Sequence, residues 1–352
     1  MNTITTAVPF LLIAPDSRAG GMGDVGVASS PDANSIHWNP AKLAFVEKSM
    51  GASISYTPWL RALVNDINLA YLSAYKKLNS KQAIGISLVY FSLGNITFTD
   101  ETGTSIGTYN PNEFAVDAAF AQKLAENFSM GIALRYIHSD LTQGISTSSE
   151  PTHAGNAVAA DVSVYYTKPV EVSGKNTTVS FGTNISNVGS KISYTTSGTR
   201  DFIPTNLRIG GGWNVELDKY NSVAFHLDLN KLLVPTPDTS KRTSEISVAS
   251  GIFQSFSDAP GGVKEEIKEI IYSGGFEYWY DKQFAVRVGY FHESEFKGNR
   301  QYVTLGAGLR YNVFGIDFAY IIPTTTQRSP LENTLRFSLL FDFDNAKAHK
   351  TE

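Results

Sequence analysis

From about residue 50 to residue 344 the chain repeats one pattern: a large apolar residue at every second position and a small or polar one between. In "FSMGIALRY", Phe128, Met130, Ile132, Leu134 and Tyr136 alternate with Ser129, Gly131, Ala133 and Arg135. "FAVRVGY" from Phe284 and "LRFSLLFDF" from Leu335 follow the same rule. Successive side chains of a strand point to opposite faces, so each segment has one apolar face and one small or polar face. The pattern predicts fourteen strands, near 49–57, 66–76, 83–93, 112–123, 127–139, 156–167, 177–188, 204–217, 222–230, 271–280, 284–293, 301–312, 314–322 and 333–344.

What the second face carries decides between a soluble sandwich and a membrane barrel. A solvated sheet would place many Lys and Glu there. Instead the face holds Gly, Ala and Ser with scattered Asp117, Asp161, Arg208, Asp228, Glu277, Arg310 and Asp317, which suits a filled lumen. Tyr56, Tyr75, Tyr90, Tyr136, Tyr166, Tyr280, Tyr290 and Tyr311 stand near strand ends on the apolar face, as in the aromatic girdles of membrane barrels. The connections agree. Links after even-numbered strands are short, such as "LAEN" and "DKQ", whereas most after odd-numbered strands are long, such as "DLTQGISTSSEPTHAGN". Outer-membrane barrels alternate short periplasmic turns with long external loops in this way, and a sandwich has no reason to. The expected fold is an all-β, 14-stranded antiparallel transmembrane barrel over 48–344, preceded by a segment 1–47 and followed by a tail 345–352.

Composition adds exclusions. A net charge of −4 leaves no electrostatic footprint for nucleic acid, and the absence of cysteine removes thiolate ligands and nucleophiles. No apolar run approaches the ~20 residues of a transmembrane helix. "AVPFLLIA" is too short, contains Pro9 and lacks a preceding basic region, so it is not read as a signal peptide.

Gly21, Gly23 and Gly26 match G-x-G-x-x-G, with Glu47 about where a ribose-binding acid would fall. A dinucleotide site needs a strand running into the glycines and a helix leaving them. Here "APDSRA" intervenes, and Pro31 and Pro40 would break the helix. The alternative is a compact hatch in the barrel, where glycine lets backbones approach closely.

The stretch "RAGGMGDVGVASSPDANSIHWNPAKLAFV" resembles the N-terminal hatch of the FadL-like outer-membrane family. The resemblance rests on Gly21-Met22-Gly23, Asp32-Ala33, Asn39-Pro40-Ala41 and Leu43, placed just before the first strand. It implies fourteen strands around a glycine-rich hatch. "VPFLLIAPDSRAGG" and "YTPWLRALVNDINLAYLS" narrow it to the PorV branch, which serves type IX secretion. That branch implies a non-enzymatic outer-membrane component that binds the translocon pore protein. It also implies binding of secreted proteins through their C-terminal signal domain and their transfer to the surface-attachment complex. The wider family implies an alternative, a channel for hydrophobic small molecules.

Candidate partner contacts are Trp59, Leu60, Leu63 and Val64 in the first long loop and Phe98 and Tyr109 in the second. In the fifth loop, 231–270, two amphipathic helices are expected. Ile246, Ala249, Phe253 and Phe256 share one face of the first, and Val263, Ile267, Ile270 and Ile271 one face of the second, so the expected arrangement packs the two together and leaves their outer surface for a partner. For a small-molecule channel, Leu72, Val89, Phe91 and Ile137 fall on the nominal inner face. The six histidines have no metal-ligand spacing. His226 and Asp228 share an inward face, as do Ser87, Ser163 and Ser338, but buried polar pairs are the simpler reading, and inward charges such as Arg135, Asp161, Arg287 and Asp317 are expected to neutralise one another in the lumen. No nucleophile, cofactor or metal site stands out.

Overall fold

The computed structural model describes residues 3–60, 64, 66–100, 102–144, 151–196, 198, 200–237, 245–325, 331 and 334–344. Fourteen antiparallel strands close into a barrel: β1 (Met50–Pro58), β2 (Asn68–Lys77), β3 (Gln82–Ser92), β6 (Asn112–Ala125), β7 (Phe128–Asp140), β8 (Gly155–Val172), β9 (Lys175–Gly189), β10 (Asn206–Glu216), β11 (Asn221–Leu232), β12 (Ile271–Tyr280), β13 (Phe284–His292), β14 (Gln301–Tyr311), β15 (Phe314–Pro323) and β16 (Leu335–Phe343). Closure joins β1 to β16 in register from Met50 opposite Phe343 to Tyr56 opposite Phe337. A closed barrel satisfies every ladder hydrogen bond without an edge, which lets strands cross a hydrocarbon layer. No described helix is long and apolar enough to do so.

The period of two sets inside from outside. Along β7, Ile132 and Leu134 are 52% and 65% exposed, while their neighbours Ala133 and Arg135 are buried, so the exposed band faces lipid. Seven of the eight predicted girdle tyrosines stand on this outer face. Tyr75 is the exception: it points inward and donates to Asp342 at 3.3 Å. Leu72 also departs from its assignment. It lies on the lipid face, one residue out of step with Tyr71 and Ser73, which are buried.

Two features lie beyond the predicted strands. The second external loop folds into a hairpin, β4 (Ile96–Thr99) with β5 (Ser105–Tyr109), whose turn is tied by Asp100 accepting from the Thr102 and Thr104 amides. The β8–β9 pair continues through "KPVEV" to a turn at Ser173 and Gly174, both at positive φ.

Residues 9–46 fill the barrel as a chain of single helical turns: Pro9–Leu12, Ser17–Gly20, Ser35–Trp38 and Pro40–Phe45. None is long enough to be stable alone, so packing holds them. Phe10 stacks on Phe91 at 6.2 Å, within an apolar cluster that includes Leu69, Tyr71 and Ile137 near the external mouth. Ile36, Leu43 and Val46 form a second cluster with Tyr75, Ala83 and Ala121.

Candidate functional site

The interior shows what the glycine cluster is for. The Gly26 and Val27 amides donate to Asp228 Oδ2 at 2.8 and 3.0 Å. Adjacent backbone amides of a glycine-rich turn make an anion-binding concavity. Here the anion is a carboxylate of the barrel wall. Gly23, at φ +73, lies so close to β13 that a Cβ would fall 2.7 Å from the Tyr290 amide nitrogen, and its own amide donates to Thr304 Oγ1 at 2.9 Å. Gly21 faces Gly306 across an equally close approach.

The wall is cut to match. A Cβ added to Gly289 would lie 2.0 Å from the Met22 carbonyl carbon, one on Gly182 2.2 Å from Val27 O, and one on Gly131 2.3 Å from the Ala41 amide nitrogen. These wall glycines fit backbone to backbone, which explains the small residues on the inner face better than a solvated sheet does.

Asn39-Pro40-Ala41 works as a joint. The Asn39 amide group donates to Val27 O at 2.9 Å and to Val164 O at 3.0 Å, and its Oδ1 accepts from the Ala41 amide. Pro40 begins the following turn, where its fixed φ suits and a missing N–H costs nothing. The Ala41 amide donates to Ser163 Oγ at 3.0 Å, and its carbonyl accepts from Ser129 at 2.7 Å. Asp32 accepts from the Asn34 amide and from Arg18.

Buried charges run between hatch and wall. Arg18 donates twice to Glu277, at 3.1 and 2.9 Å; Arg287 bridges Glu277 and Asp317 at 2.7 and 2.8 Å; Arg310 closes on Asp317 at 2.6 Å. Across the lumen, Arg135 pairs with Asp117 at 2.6 Å and with Asp161 at 3.3 Å. Asp24 of the hatch pairs with Arg336 and accepts from Tyr302 at 2.6 Å. Sequence reading found most of the wall members of these pairs but missed Arg336 of β16 and, in the hatch, Arg18 and Asp24. The inward serines are used structurally: Ser87 donates to Asp117, Ser163 to Gly131 O and Ser338 to Ser17. None of these serines bonds to His226.

At the external end, the first-loop cluster does not stand clear of the barrel. Trp59 is half-buried and bridges the Phe10 cluster and a second one of Phe291, Tyr302, Ile321 and Leu331; Leu60 packs on the latter. Val64 is exposed, and Leu63 lies outside the described residues. Phe98 and Tyr109 meet edge to face at 5.2 Å across the second-loop hairpin.

The fifth loop reverses expectation. Its helices, Val248–Gln254 and Val263–Lys268, do not bury their apolar residues against each other. Phe253 and Val263 are 77% and 76% exposed, and Phe256 and Ile267 are exposed too. The first helix turns Gly251 and Ser255 inward, Gly251 against Phe202 and Pro235. The second turns its acids inward: Glu269 binds Lys231 at 2.6 Å and Lys297 at 2.9 Å, while Glu266 and Glu265 each take one of the same lysines. Ile271 already belongs to β12. Burial pushes the Glu269 carboxyl up, but hydrogen bonds from Lys231, Lys297 and Thr236 outweigh it and hold it below the ordinary range. The Lys297 hydrogen bond likewise holds Glu265 low. The apolar side chains are left outward because ion pairs, not hydrophobic burial, fasten this cap.

The full length of the chain resembles known barrels. Residues 1–239 match the family model described as type IX secretion system protein PorV. Among solved structures, a Pseudomonas aeruginosa FadL homologue aligns over 97% of this chain and 99% of its own, at 13% identity and a TM-score of 0.51. The TodX deltaS2S3 mutant monoaromatic hydrocarbon channel aligns over 94% and 99%, at 11% identity and 0.55. The CymD monoaromatic hydrocarbon channel aligns over 94% and 98%, at 15% identity and 0.53. At these identities the likeness is one of fold. No curated protein sequence matches the chain.

Proposed function

This chain belongs to the PorV family of type IX secretion system proteins and is an integral outer-membrane barrel, and from that premise we propose that it works by holding other proteins at its external face. Its partners in this reading are the translocon pore protein, secreted proteins bearing a C-terminal signal domain, and the complex that attaches them to the surface. The observation that carries the reading is the outward apolar face of the fifth loop, formed by Phe253, Phe256, Val263 and Ile267. Apolar side chains held outward by a charged underside suit a surface that is covered in a complex. Val64, with Trp59 and Leu60 behind it, and the Phe98–Tyr109 hairpin extend the contact surface around the rim. The chemistry is recognition, with no catalytic step assigned.

Uptake of a hydrophobic small molecule is the competing reading. It needs a path past the hatch, yet the cleft that the described residues form between hatch and wall at the external mouth has room for about 50 Å³. Pockets that enclose small ligands run to roughly 300–1,000 Å³. The test is recovery of the tagged chain from native membranes in mild detergent, with bound proteins identified by mass spectrometry. The expected result is co-recovery of a very large outer-membrane translocon or of secreted proteins sharing a C-terminal domain. Phe253→Asp with Val263→Asp should cut that recovery several-fold while the barrel stays folded. A chain recovered alone, carrying a lipid or fatty acid by native mass spectrometry, would hand the function to uptake.

A further inference from the structure

The cleft at the external mouth lies between the start of the hatch and the wall of β10, β11, β14 and β16, and its charges do not balance. Three guanidinium groups line it, Arg208, Arg300 and Arg336, against one carboxylate, Asp24. Arg300 is satisfied by Glu293, at 2.7 and 2.9 Å. Arg336 gives one terminal nitrogen to Asp24, but its Nε is buried without a hydrogen-bond partner, in a residue only 1% exposed. Arg208 forms no ion pair among the described residues. Its Nε donates to Asn230 Oδ1, and its guanidinium lies 4.5 Å from the centre of the Trp38 ring. Trp38 is itself fixed by donating to Asp16 at 2.6 Å. Arg208 is thus held in place with its two outer nitrogens uncommitted, the arrangement that binds a carboxylate through two parallel hydrogen bonds.

Beside this fork part of the wall is apolar, formed by Trp59, Leu232, Ile271 and Leu331. The site therefore asks for a carboxylate joined to an apolar group. Size selects the source. Room of about 50 Å³ takes the carboxylate and little of the group that carries it, so the rest of the ligand lies against the apolar rim or outside it. A fatty acid held here by its head would leave its tail in water at the mouth, whereas a polypeptide end would leave only solvated backbone outside. We infer that this cleft receives the C-terminal carboxylate and final apolar side chain of a bound polypeptide, with Arg208 as the anchoring group. The inference rests on the reading of the chain as a binder of secreted proteins and adds where the end of such a protein sits.

The full chain in detergent micelles tests it by tryptophan fluorescence, since Trp38 and Trp59 both line the cleft. Three probes are titrated: an acetylated Gly/Ser octapeptide ending in two leucines with a free carboxylate, the same peptide as its C-terminal amide, and decanoate. The acid peptide should bind at least tenfold more tightly than the amide. Arg208→Gln should erase that difference, and Arg208→Lys, which keeps the charge but loses the fork, should restore part of it. Unshifted heat-modifiable mobility of each variant on gels shows that the barrel is intact. Equal binding of acid and amide, binding of neither, or binding of decanoate alone would overturn the inference. If partners are still recovered from membranes in any of those cases, the secretion reading stands without this site. If no partners are recovered either, that reading falls with it.

Discussion

Hatch and fifth-loop cap are both fastened to the barrel by carboxylate–cation pairs, yet they dispose of their apolar residues in opposite ways. Met22, Val25, Val27, Ile36 and Leu43 of the hatch are completely buried. Phe253 and Val263 of the cap are more than three-quarters exposed. In the hatch, hydrophobic burial and ion pairing act together, and backbone meets backbone at the wall glycines. That describes a permanent part of the core. The cap is held by ion pairs under its second helix and by small buried residues, Gly251 and Ser255, under its first, so its large apolar side chains remain available to another molecule. The same kind of bond makes a plug in one place and presents a surface in the other.

The comparison breaks most severely at the hatch. Gly289→Leu drives a side chain into the Met22 carbonyl, where a Cβ alone would lie at 2.0 Å. The obstacle is backbone, which cannot turn aside as a side chain can, so the cost should exceed the ~1–3 kcal/mol usual for overpacking. The expected result is loss of the folded, heat-modifiable species in outer-membrane fractions; normal amounts of it would show that hatch and wall are not tightly fitted. Glu277→Gln comes next. It leaves Arg18 and Arg287 buried without their shared carboxylate, and breaking such a pair costs roughly 3–5 kcal/mol. A lower denaturant midpoint in micelles, with the barrel still able to assemble, is the expected reading.

How much of this was legible in the sequence follows from which forces have a period. Side-chain alternation has a period of two, so fourteen strands and most of their inner charges were readable, though not which charge meets which. In β2 large apolar residues stand on both faces, Leu69, Tyr71 and Tyr75 inward and Leu72 outward, so alternation does not choose between the faces, and Tyr75 and Leu72 were placed on the wrong ones. Asn39-Pro40-Ala41 carries its own backbone logic and is visible as a motif. Arg18 meets Glu277, and Asp24 meets Arg336, only through the closed barrel, across 259 and 312 residues, and no local pattern announces that. The cap misled for another reason. Amphipathic spacing says that a helix has two faces, not which face is turned inward, and Lys231 and Lys297, which decide it, come from distant segments. The β4–β5 hairpin was missed because its alternation, Ile96 and Phe98 against Thr97 and Thr99, runs for only four residues and is not repeated in "SIGTY".

The smallest effect sharpens the comparison from the cap's side. Glu269→Gln removes the carboxylate shared by Lys231 and Lys297, but both lysines keep a second acid, Glu266 and Glu265 respectively. The cost should be about 2 kcal/mol, below that of a fully enclosed pair because the cluster reaches solvent at Glu265 and Glu266. It should be local: faster proteolysis between β11 and β12 with the barrel's denaturant midpoint unchanged. The same bond sets a pH dependence. Glu265 and Glu269 are held below the ordinary glutamate value of 4.5, so the folded cap binds fewer protons than the open one. Their stabilisation is therefore complete at neutral pH and is lost as pH falls from about 4.5 through the lowered values. Protease sensitivity of the cap should rise over that acid range in the parent chain and rise less steeply in Glu269→Gln, which has already lost one of the titrating groups. A flat profile in the parent would mean that burial of Gly251 and Ser255, rather than the ion pairs, holds the cap down. The outward apolar face would then be an accident of packing rather than a surface kept open by charge.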